Sequence, residues 1–304
     1  MPASSLADRH EELRRASVEV ILAGQAPSGG YVACPDFPPY RFSWLRDGSF
    51  VADAMSRAGE AASRECRSAE AFFDWVARIV EAGLGFEARY TLAGERDETE
   101  WPHRQHDGWG LWLWALREHT RRHGGGARWR EAADATAAYL ERVRLEPCVD
   151  WWEEREGVHA ATLACIAAGL GDDLDLSSAE DRLDASLLVL PFLDFGAVDV
   201  SPLISPLISP GGGVHRHLDD VYYGGGEWLL LTAMLGLAEP DRAETCLGWV
   251  ADHAERGGRL PEQSQDHLLH PETYDGWVAK WGPPPSPLLW SHAMFVDLDL
   301  AVRG

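Results

Sequence analysis

The sequence of 304 residues has little positive charge. It contains 27 lysines and arginines against 49 aspartates and glutamates, which gives a net charge of -22. This charge repels the phosphate groups of nucleic acids and of anionic lipids, so neither is an expected partner. No apolar run approaches the length of a membrane span, and the N-terminal stretch lacks the apolar core of a signal peptide. We therefore expect a cytoplasmic protein.

Cysteine is scarce as well, and the cysteines show neither CxxC pairs nor the Cys/His spacing of zinc sites. They are Cys34, Cys66, Cys148, Cys165 and Cys246. Since their number is odd and they are widely spaced, we expect free, buried thiols instead of a disulfide framework. The histidines show no HExxH motif or other clustered pattern, so we expect no catalytic metal and no cofactor.

Sequence patterns typical of β-strands are almost absent, whereas helical periodicity recurs along the chain. Residues 6–23, 64–83 and 127–145 alternate charged and apolar positions at helical spacing, which predicts amphipathic, partly exposed helices. Six further segments are apolar on most sides, which predicts enclosed helices: 50–58, 111–116, 160–170, 185–193, 228–237 and 294–302.

A loop rich in polar, aromatic or glycine residues precedes each of the six apolar segments. This arrangement predicts a ring of inner helices whose N-terminal ends face one pocket, with the amphipathic helices outside. We therefore expect an all-α fold, an (α/α)6 barrel. An ordinary helical bundle with aromatic loops is the alternative.

Tryptophan, in contrast, is abundant, with 14 residues, and two glutamates lie in notable surroundings. Glu153 follows Asp150 and two tryptophans and precedes a second glutamate, and both like charge and apolar rings favour a protonated carboxyl group. Glu262 follows a proline in a loop. Hydrolysis of a sugar acetal needs a protonated acid, an ionised base and flat apolar faces that hold the sugar. Taken alone, Glu153 could equally begin a surface helix, and Glu262 could be an ordinary loop residue.

Six motifs occur in order along the chain: YRFSWLRD at 40–47, WPHRQHDG at 101–108, WEER at 152–155, RHLDDVYYGGGEW at 216–228, LPEQ at 260–263 and PLLWSHA at 287–293. Together they resemble the motifs of the glucoamylase-like glycoside hydrolases, the family numbered fifteen. The resemblance implies a single catalytic (α/α)6 barrel domain over residues 1–304 that removes glucose from non-reducing ends with inversion. It also implies that Glu153 is the general acid and Glu262 the general base.

The same resemblance implies a substrate-binding role for nine residues: Tyr40, Arg46, Asp47, Trp101, Asp107, Trp152, Glu154, Arg216 and Ser291. In this family the Arg-Asp pair grips sugar hydroxyls, which both donate and accept hydrogen bonds, and the serine supports the general base. The motif of Arg216 also includes Asp220 and Trp228. As alternatives, the Arg-Asp pair could be a structural salt bridge, and the aromatic residues could belong to the core.

The chain departs from this family in the stretch between the two glutamates. Only residues 171–182 separate the third and fourth predicted inner helices, and only residues 196–214 separate the fourth and fifth. The second gap contains SPLISPLISP, whose prolines exclude a regular helix. We expect one or two outer helices to be missing or shortened. Apolar residues such as Leu187, Leu188 and Leu190 would then be covered by SPLISPLISP or by a second subunit in a homo-oligomer.

The expected function is inverting, exo-acting hydrolysis of short α-1,4- or α-1,6-linked gluco-oligosaccharides, with a small oligosaccharide as the partner. A trehalase of the same family is one alternative, and a non-catalytic sugar-binding or regulatory barrel is another. The presence of both Glu153 and Glu262 within their motifs favours an enzyme, because a binding module needs neither an acid nor a base.

Overall fold

The structure is a computed structural model that describes residues 6–180, 184–196 and 198–304. Helices dominate these residues, as predicted: α1 (Leu6–Ala23), α2 (Leu45–Ala58), α3 (Arg64–Glu81), α4 (Asp107–His123), α5 (Arg130–Val143), α6 (Ala160–Leu170), α7 (Val189–Phe192), α8 (Ser201–Ile204), α9 (Leu229–Ala238), α10 (Ala243–Asp252), α11 (Pro271–Trp281) and α12 (Leu289–Arg303). Three antiparallel pairs of two-residue strands accompany them: β1 (Ser43–Trp44) with β2 (Arg89–Tyr90), β3 (Cys148–Val149) with β4 (Glu156–Gly157), and β5 (Glu227–Trp228) with β6 (Gln263–Ser264).

The chain forms two compact units, which are described separately. The middle unit comprises residues 22–33 and 38–182, as far as the structure describes them. The terminal unit comprises residues 1–21, 34–37 and 183–304, with the same restriction. The organisation of residues 1–304 as a single domain stays a prediction.

In the middle unit, α4 packs against both α2 and α6. These three helices are buried along most of their length, as their apolar sequences predicted. α3 packs against α2 and α5, and both α3 and α5 keep one exposed face. α3 begins at the N-cap residue Ser63, whose hydroxyl accepts a hydrogen bond from the amide of Cys66 at 3.1 Å. The predicted distinction between enclosed and amphipathic helices is confirmed for these five helices.

The contact between α4 and α6 is made by glycines. A Cβ atom on Gly110 would lie 2.3 Å from the carbonyl oxygen of Cys165, and one on Gly169 would lie 2.5 Å from the carbonyl oxygen of Gly110. Side chains do not approach a backbone this closely, so the two helices touch only because both positions lack a Cβ. The contact fixes α4, whose first residue is Asp107.

In the terminal unit, α9 packs against α10 and α12. Both α9 and α12 are buried along most of their length, which confirms the two enclosed helices predicted there. The enclosed helix predicted over 185–193 is broken, because a 3-10 turn over Ala185–Leu188 leads into the four residues of α7. Pro191 lies inside this stretch and has no amide hydrogen with which to continue a longer helix.

The SPLISPLISP segment forms only α8 and a 3-10 turn over Ser205–Leu207. Pro202 and Pro206 each lie at the start of one of these short helices, where a missing amide hydrogen is tolerated. Among the described residues, no α-helix lies between α6 and α7, and α8 is the only α-helix between α7 and α9. These gaps agree with the predicted loss or shortening of outer helices, although residues 181–183 and 197 lie outside the described part of the chain.

The apolar residues of the broken helix are buried by the chain itself. Leu187, Leu188 and Leu190 are 7%, 0% and 1% exposed. α8 contacts the 3-10 turn that carries the first two, and Ile204 and Leu207 of SPLISPLISP are buried as well. The sequence predicts that either SPLISPLISP or a second subunit covers these residues. In the structure, SPLISPLISP covers them.

Two helices of the terminal unit are not predicted by the sequence patterns. α11 is only half-buried, on a face that includes Tyr274, Trp277 and Val278, and α10 buries only three side chains. All five cysteines are free and buried, as predicted. In the part of the chain that the structure describes, no helix combines the length and the apolar character needed to cross a bilayer.

We expect Gly110→Ala to lower the free energy of unfolding by about 1–3 kcal/mol, because the added methyl group would overlap the backbone of α6. Urea unfolding followed by circular dichroism measures this change. Gly276→Ala on α11 is the matched control, since a Cβ there meets open space and alanine favours a helix by about 1 kcal/mol over glycine. Equal stability of Gly110→Ala and the wild type would contradict a tight contact between α4 and α6.

Candidate active site

Glu153 lies in the turn between β3 and β4. Asp150 closes this turn: its amide donates to the carbonyl of Arg155 at 2.8 Å, and its carbonyl accepts from the amide of Glu153 at 3.0 Å. The Asp150 carboxylate also accepts from the amides of Glu154 and Arg155, at 2.8 and 3.3 Å. These bonds hold Glu153 at a φ of 63°, a left-handed conformation that residues other than glycine rarely adopt. The alternative that Glu153 begins a helix is wrong.

Two N–H donors hold the carboxyl group of Glu153. Trp44 Nε1 and Gln105 Nε2 each donate a hydrogen bond of 2.8 Å to Oε1. Arg46 Nη2 lies 3.9 Å from the same oxygen, and the side chain is 16% exposed. Because both donors point to Oε1, a proton carried by this carboxyl group belongs on Oε2.

Arg46 connects the starts of two buried helices. It lies in the first turn of α2 and is buried, and its Nη1 donates to Gln105 Oε1 and Asp107 Oδ2, both at 2.9 Å. Its Nε lies 3.9 Å from Asp47 Oδ2. A buried guanidinium needs such compensation, since its removal from water is costly. Arg46 is therefore a bridge within the middle unit as well as a neighbour of Glu153.

The pKa of Asp47 is shifted strongly upward. Burial raises it to about 7, the positive charge of Arg46 acts against this shift, and the negative charge of Glu153 adds to it. The side chain of Asp47 remains 14% exposed. A carboxyl group that is partly protonated near neutral pH can either donate or accept a hydrogen bond, which suits contact with a hydroxyl group.

Aromatic rings surround Trp44 in the middle unit. Trp44 makes edge-on contacts with Tyr40 and Trp101, at centroid distances of 5.5 and 5.8 Å. The guanidinium of Arg89 lies 3.7 Å from the centroid of Trp101 and is fixed by a hydrogen bond of 2.6 Å to Asp97. The cation covers one face of a half-buried tryptophan. A ring held in this way can offer its remaining surface to the C–H groups of a sugar.

Trp152 and Glu154 flank Glu153 but differ in their surroundings. Trp152 is buried, and its ring lies 6.3 Å from that of Trp151. Glu154 is exposed, and its amide belongs to the Asp150 turn. A substrate-binding role for either residue stays a prediction.

In the terminal unit, the backbone of Glu262 is fixed on both sides. Its amide donates to the carbonyl of Pro285 at 2.8 Å, and its carbonyl accepts from the amide of Leu229 at 3.2 Å. The residue is 2% exposed. Ser291 is fully buried, and its hydroxyl donates to the carbonyl of Pro261 at 2.9 Å. In the structure, Ser291 therefore supports the peptide that precedes Glu262.

His292 holds the same loop. The amide of Leu260 donates to His292 Nε2 at 3.0 Å, so this nitrogen accepts, and Nδ1 carries the hydrogen that faces Ser17 Oγ at 2.9 Å. Burial lowers the pKa of His292 to about 3, with the charge of Arg259 acting in the same direction. The ring is therefore neutral at ordinary pH, and its support of the loop does not depend on titration.

Tyr223 is a further neighbour of Glu262. It is fully buried and has a left-handed φ of 48°. Burial raises the pKa of Tyr223 to about 12, and the negative charge of Glu262 contributes to the increase. The phenol therefore stays protonated and can act only as a neutral hydroxyl group.

Arg216 is paired with an aspartate from its own motif. Its Nε and Nη2 donate to the two carboxylate oxygens of Asp220, at 2.7 and 2.6 Å. The guanidinium also lies 5.1 Å from the centroid of Trp228, which is buried. Trp228 is thus part of the core, and Arg216 has a structural pairing in addition to the predicted binding role.

The predicted site residues fall into one group in each unit. The middle unit contains Tyr40, Arg46, Asp47, Trp101, Asp107, Trp152, Glu153 and Glu154. The terminal unit contains Arg216, Glu262 and Ser291. The sequence assigned no role to five residues that the structure places here: Trp44, Gln105, Tyr223, His292 and Arg89. The first four lie within the quoted motifs, which could have indicated them, whereas no sequence signal marks the arginine.

Comparisons with known proteins give a consistent result. The family model described as "Glycosyl hydrolases family 15" matches residues 8–187. The isomaltose glucohydrolase of Kribbella flavida is 36% identical, and the match covers 96% of this chain and 94% of that protein.

Solved structures are similar as well. A wild-type glycosidase is 34% identical, with a TM-score of 0.88 over 98% of each chain. A glycosidase variant with a glutamate replaced by alanine, in complex with glucose, is 33% identical, with a TM-score of 0.86 over 97% of this chain and 98% of that one. Together with the order of the helices, these likenesses confirm the predicted all-α (α/α)6 barrel.

The raised pKa of Asp47 should make stability depend on pH. The pKa of Asp47 is about 7 in the folded chain and 3.8 for an ordinary aspartate. At pH values between these two, the folded state therefore binds more protons than the unfolded state. The resulting stabilisation is fully present at low pH and is lost as the pH rises through about 7. We expect Asp47→Asn to remove this dependence. The free energy of unfolding of the wild type minus that of the variant should then decrease as the pH rises from about 5 to about 8.

Chemical denaturation at several pH values measures this difference. Asp175→Asn is the control, because hydrogen bonds from the amide and hydroxyl of Ser177 hold the pKa of Asp175 below its usual value. This control should follow the wild type over the same pH range. A difference for Asp47→Asn that does not change with pH would contradict the raised pKa.

Proposed function

The chain belongs to glycosyl hydrolases family 15 and is an exo-acting α-glucoside hydrolase, and from this premise we propose that its preferred substrate is isomaltose or a short α-1,6-linked relative. Maltose-type α-1,4 links are the second choice. The observation that carries the proposal is the carboxyl group of Glu153, which is held by Trp44 and Gln105 in a left-handed turn. The likeness to an isomaltose glucohydrolase supports the α-1,6 preference.

We assign Glu153 as the general acid. Because Trp44 and Gln105 occupy Oε1, the acidic proton lies on Oε2 and passes to the glycosidic oxygen as the C1–O bond breaks. The guanidinium of Arg46, 3.9 Å away, stabilises the carboxylate that remains. The left-handed φ supports this role, since backbone strain of this kind persists where the surroundings impose it and clusters at functional sites.

We assign Glu262 as the general base. It takes a proton from a water molecule, whose oxygen attacks C1 from the side opposite to the leaving oxygen, so an α-linked substrate yields β-glucose. Inverting glycosidases in general leave room for this water, with about 6.5–9.5 Å between their two carboxyl groups. The hydrogen bonds of its backbone to Pro285 and Leu229 support the role, because a fixed base loses little freedom in the transition state.

The other predicted residues are proposed to hold the sugar or to position the residues that do. Asp47 and Trp101 are the proposed direct contacts, through a carboxyl group that both donates and accepts and through a flat ring. Arg46, Asp107 and Ser291 act mainly through their partners. For the remaining residues the binding role rests on the motifs: Tyr40, Trp152, Glu154 and Arg216.

The substrate is a sugar. A homo-oligomer and a cytoplasmic location are narrower proposals that rest on the sequence. The burial of Leu188 within the single chain removes the main reason for a second subunit at that surface. Light scattering and cell fractionation measure these two properties directly.

A panel of isomaltose, maltose, trehalose and dextran oligomers tests the proposed reaction. We expect glucose release to be fastest from isomaltose, and the first product seen by NMR to be β-glucose because the mechanism inverts the anomeric carbon. Faster release from trehalose would assign the chain as a trehalase. Initial formation of α-glucose would contradict the role of Glu262 as a general base, because a retaining enzyme uses its second carboxylate as a nucleophile.

The two carboxyl groups can be tested one at a time. We expect Glu153→Gln and Glu262→Gln each to lower kcat on isomaltose by about 100- to 10,000-fold, the usual contribution of a positioned acid or base. α-Glucosyl fluoride separates the two roles, because fluoride leaves without protonation. Only Glu153→Gln should recover much of its rate on this substrate.

Glu141→Gln on the exposed surface of α5 is the matched control and should leave kcat unchanged. If Glu262→Gln also regains its rate on the fluoride, Glu262 is not the base.

A further inference from the structure

The middle unit contains a second group of side chains, far along α4 from Asp107. Cys66 in the first turn of α3 and His119 and His123 in the last two turns of α4 each offer one ligand atom, and these atoms lie within 4.8 Å of one another. His119 is 12 residues beyond Asp107, which corresponds to about 18 Å along a helix. The group is therefore separate from the side chains around Glu153.

The group consists of two pairs, each on one face of a helix. Cys66 and Glu70 are four residues apart on α3, and His119 and His123 are four residues apart on α4. Glu70 Oε1 lies 3.9 Å from His119 Nε2. Burial raises the pKa of the Cys66 thiol, and the charge of Glu70 adds to the increase. Two helix faces thus supply one sulfur and two nitrogens within 4.8 Å of one another, with the carboxylate of Glu70 beside His119.

His119 points one ring nitrogen into this group. Its side chain is fully buried, and Nδ1 lies 2.9 Å from the hydroxyl of Ser56. Among residues 6–180, 184–196 and 198–304, nothing forms a hydrogen bond with Nε2. A buried polar atom without a partner is costly and calls for an explanation, such as an ion that is bound there.

One ring nitrogen of His123 is fixed by a hydrogen bond. Its Nε2 lies 2.8 Å from the carbonyl oxygen of Ser56. A carbonyl oxygen can only accept, so Nε2 carries the hydrogen, and in the neutral ring Nδ1 keeps its lone pair. Histidines that bind metals usually donate their second N–H to a carbonyl or carboxylate in this way, which fixes the ring.

We propose that Cys66, Glu70, His119 and His123 bind one Zn²⁺ ion that joins α3 to α4. A thiolate with two imidazoles favours Zn²⁺ over Mg²⁺ or Ca²⁺, which prefer oxygen ligands. On binding, the thiol releases its proton to the solvent, and the metal takes its place on the sulfur. Four protein ligands leave no open position, so the site is structural. Arg128 Nη2 lies 3.5 Å from Glu70 Oε2, and binding of the ion by Glu70 would break this ion pair.

The inference does not depend on the proposed hydrolysis, and its test reads the metal directly. The full chain is freed of metal with a chelator and titrated with Co²⁺, whose tetrahedral thiolate complexes absorb visible light and show a near-ultraviolet band of sulfur-to-metal charge transfer. We expect saturation at one equivalent and displacement by Zn²⁺. Zn²⁺ should also raise the Tm, because an ion that binds only the folded state stabilises it.

Two variants locate the ligands without altering the buried His119. Cys66→Ser should abolish the charge-transfer band and the Zn²⁺-dependent rise in Tm, and His123→Gln should weaken Zn²⁺ binding by about tenfold or more. Cys246→Ser removes a different buried thiol, in the terminal unit, and should behave as the wild type. Failure of the wild type to bind Co²⁺ or Zn²⁺, or an unchanged spectrum in Cys66→Ser, would overturn the proposal.

Discussion

The buried guanidinium of Arg46 is the charge on which the site in the middle unit depends. Taking a cation out of water costs several kcal/mol unless charges and hydrogen bonds compensate it. Here the compensation comes from the start of α4, through Asp107 and Gln105, and from the neighbouring carboxyls of Asp47 and Glu153. Since Arg46 itself lies in the first turn of α2, the two helix starts must lie together. Gln105 accepts from Arg46 and donates its side-chain amide hydrogen to the Glu153 carboxyl group, so the position of Arg46 also restrains Glu153.

The positions of the inner helices follow largely from local sequence. Continuous apolar segments predicted α2, α4, α6, α9 and α12, because burial on most sides leaves a pattern that can be seen within a few residues. The pattern failed over 185–193, where Pro191 interrupts an equally apolar segment. It also failed for α11, whose apolar face with Tyr274, Trp277 and Val278 is only half-buried and is not a continuous apolar segment.

The contacts within the site were harder to predict, because they join distant parts of the chain. Glu153 accepts hydrogen bonds from residues 48 and 109 positions away, and no local pattern reports such a pairing. The motifs named the residues near the site but not which of them touch. The proposed metal site shows the same limit: each pair, Cys66 with Glu70 and His119 with His123, has ordinary helical spacing. Only the placement of α3 beside the end of α4 brings the two pairs together.

The two proposed catalytic carboxyls are restrained in different ways, and this determines where pH acts. Glu262 is held through its backbone, and the neutral His292 that supports the loop cannot change charge near neutral pH, since burial lowers its pKa to about 3. Glu153 is held through its side chain as well as its backbone and lies near Asp47, whose pKa is raised to about 7 by its own burial. A change of charge on Asp47 alters the electrostatic potential at Glu153 and Arg46, because little water screens the charges among these three side chains. The titration of Asp47 near neutral pH therefore acts beside the carboxyl group that we propose as the acid, while the histidine that supports the loop of Glu262 stays neutral.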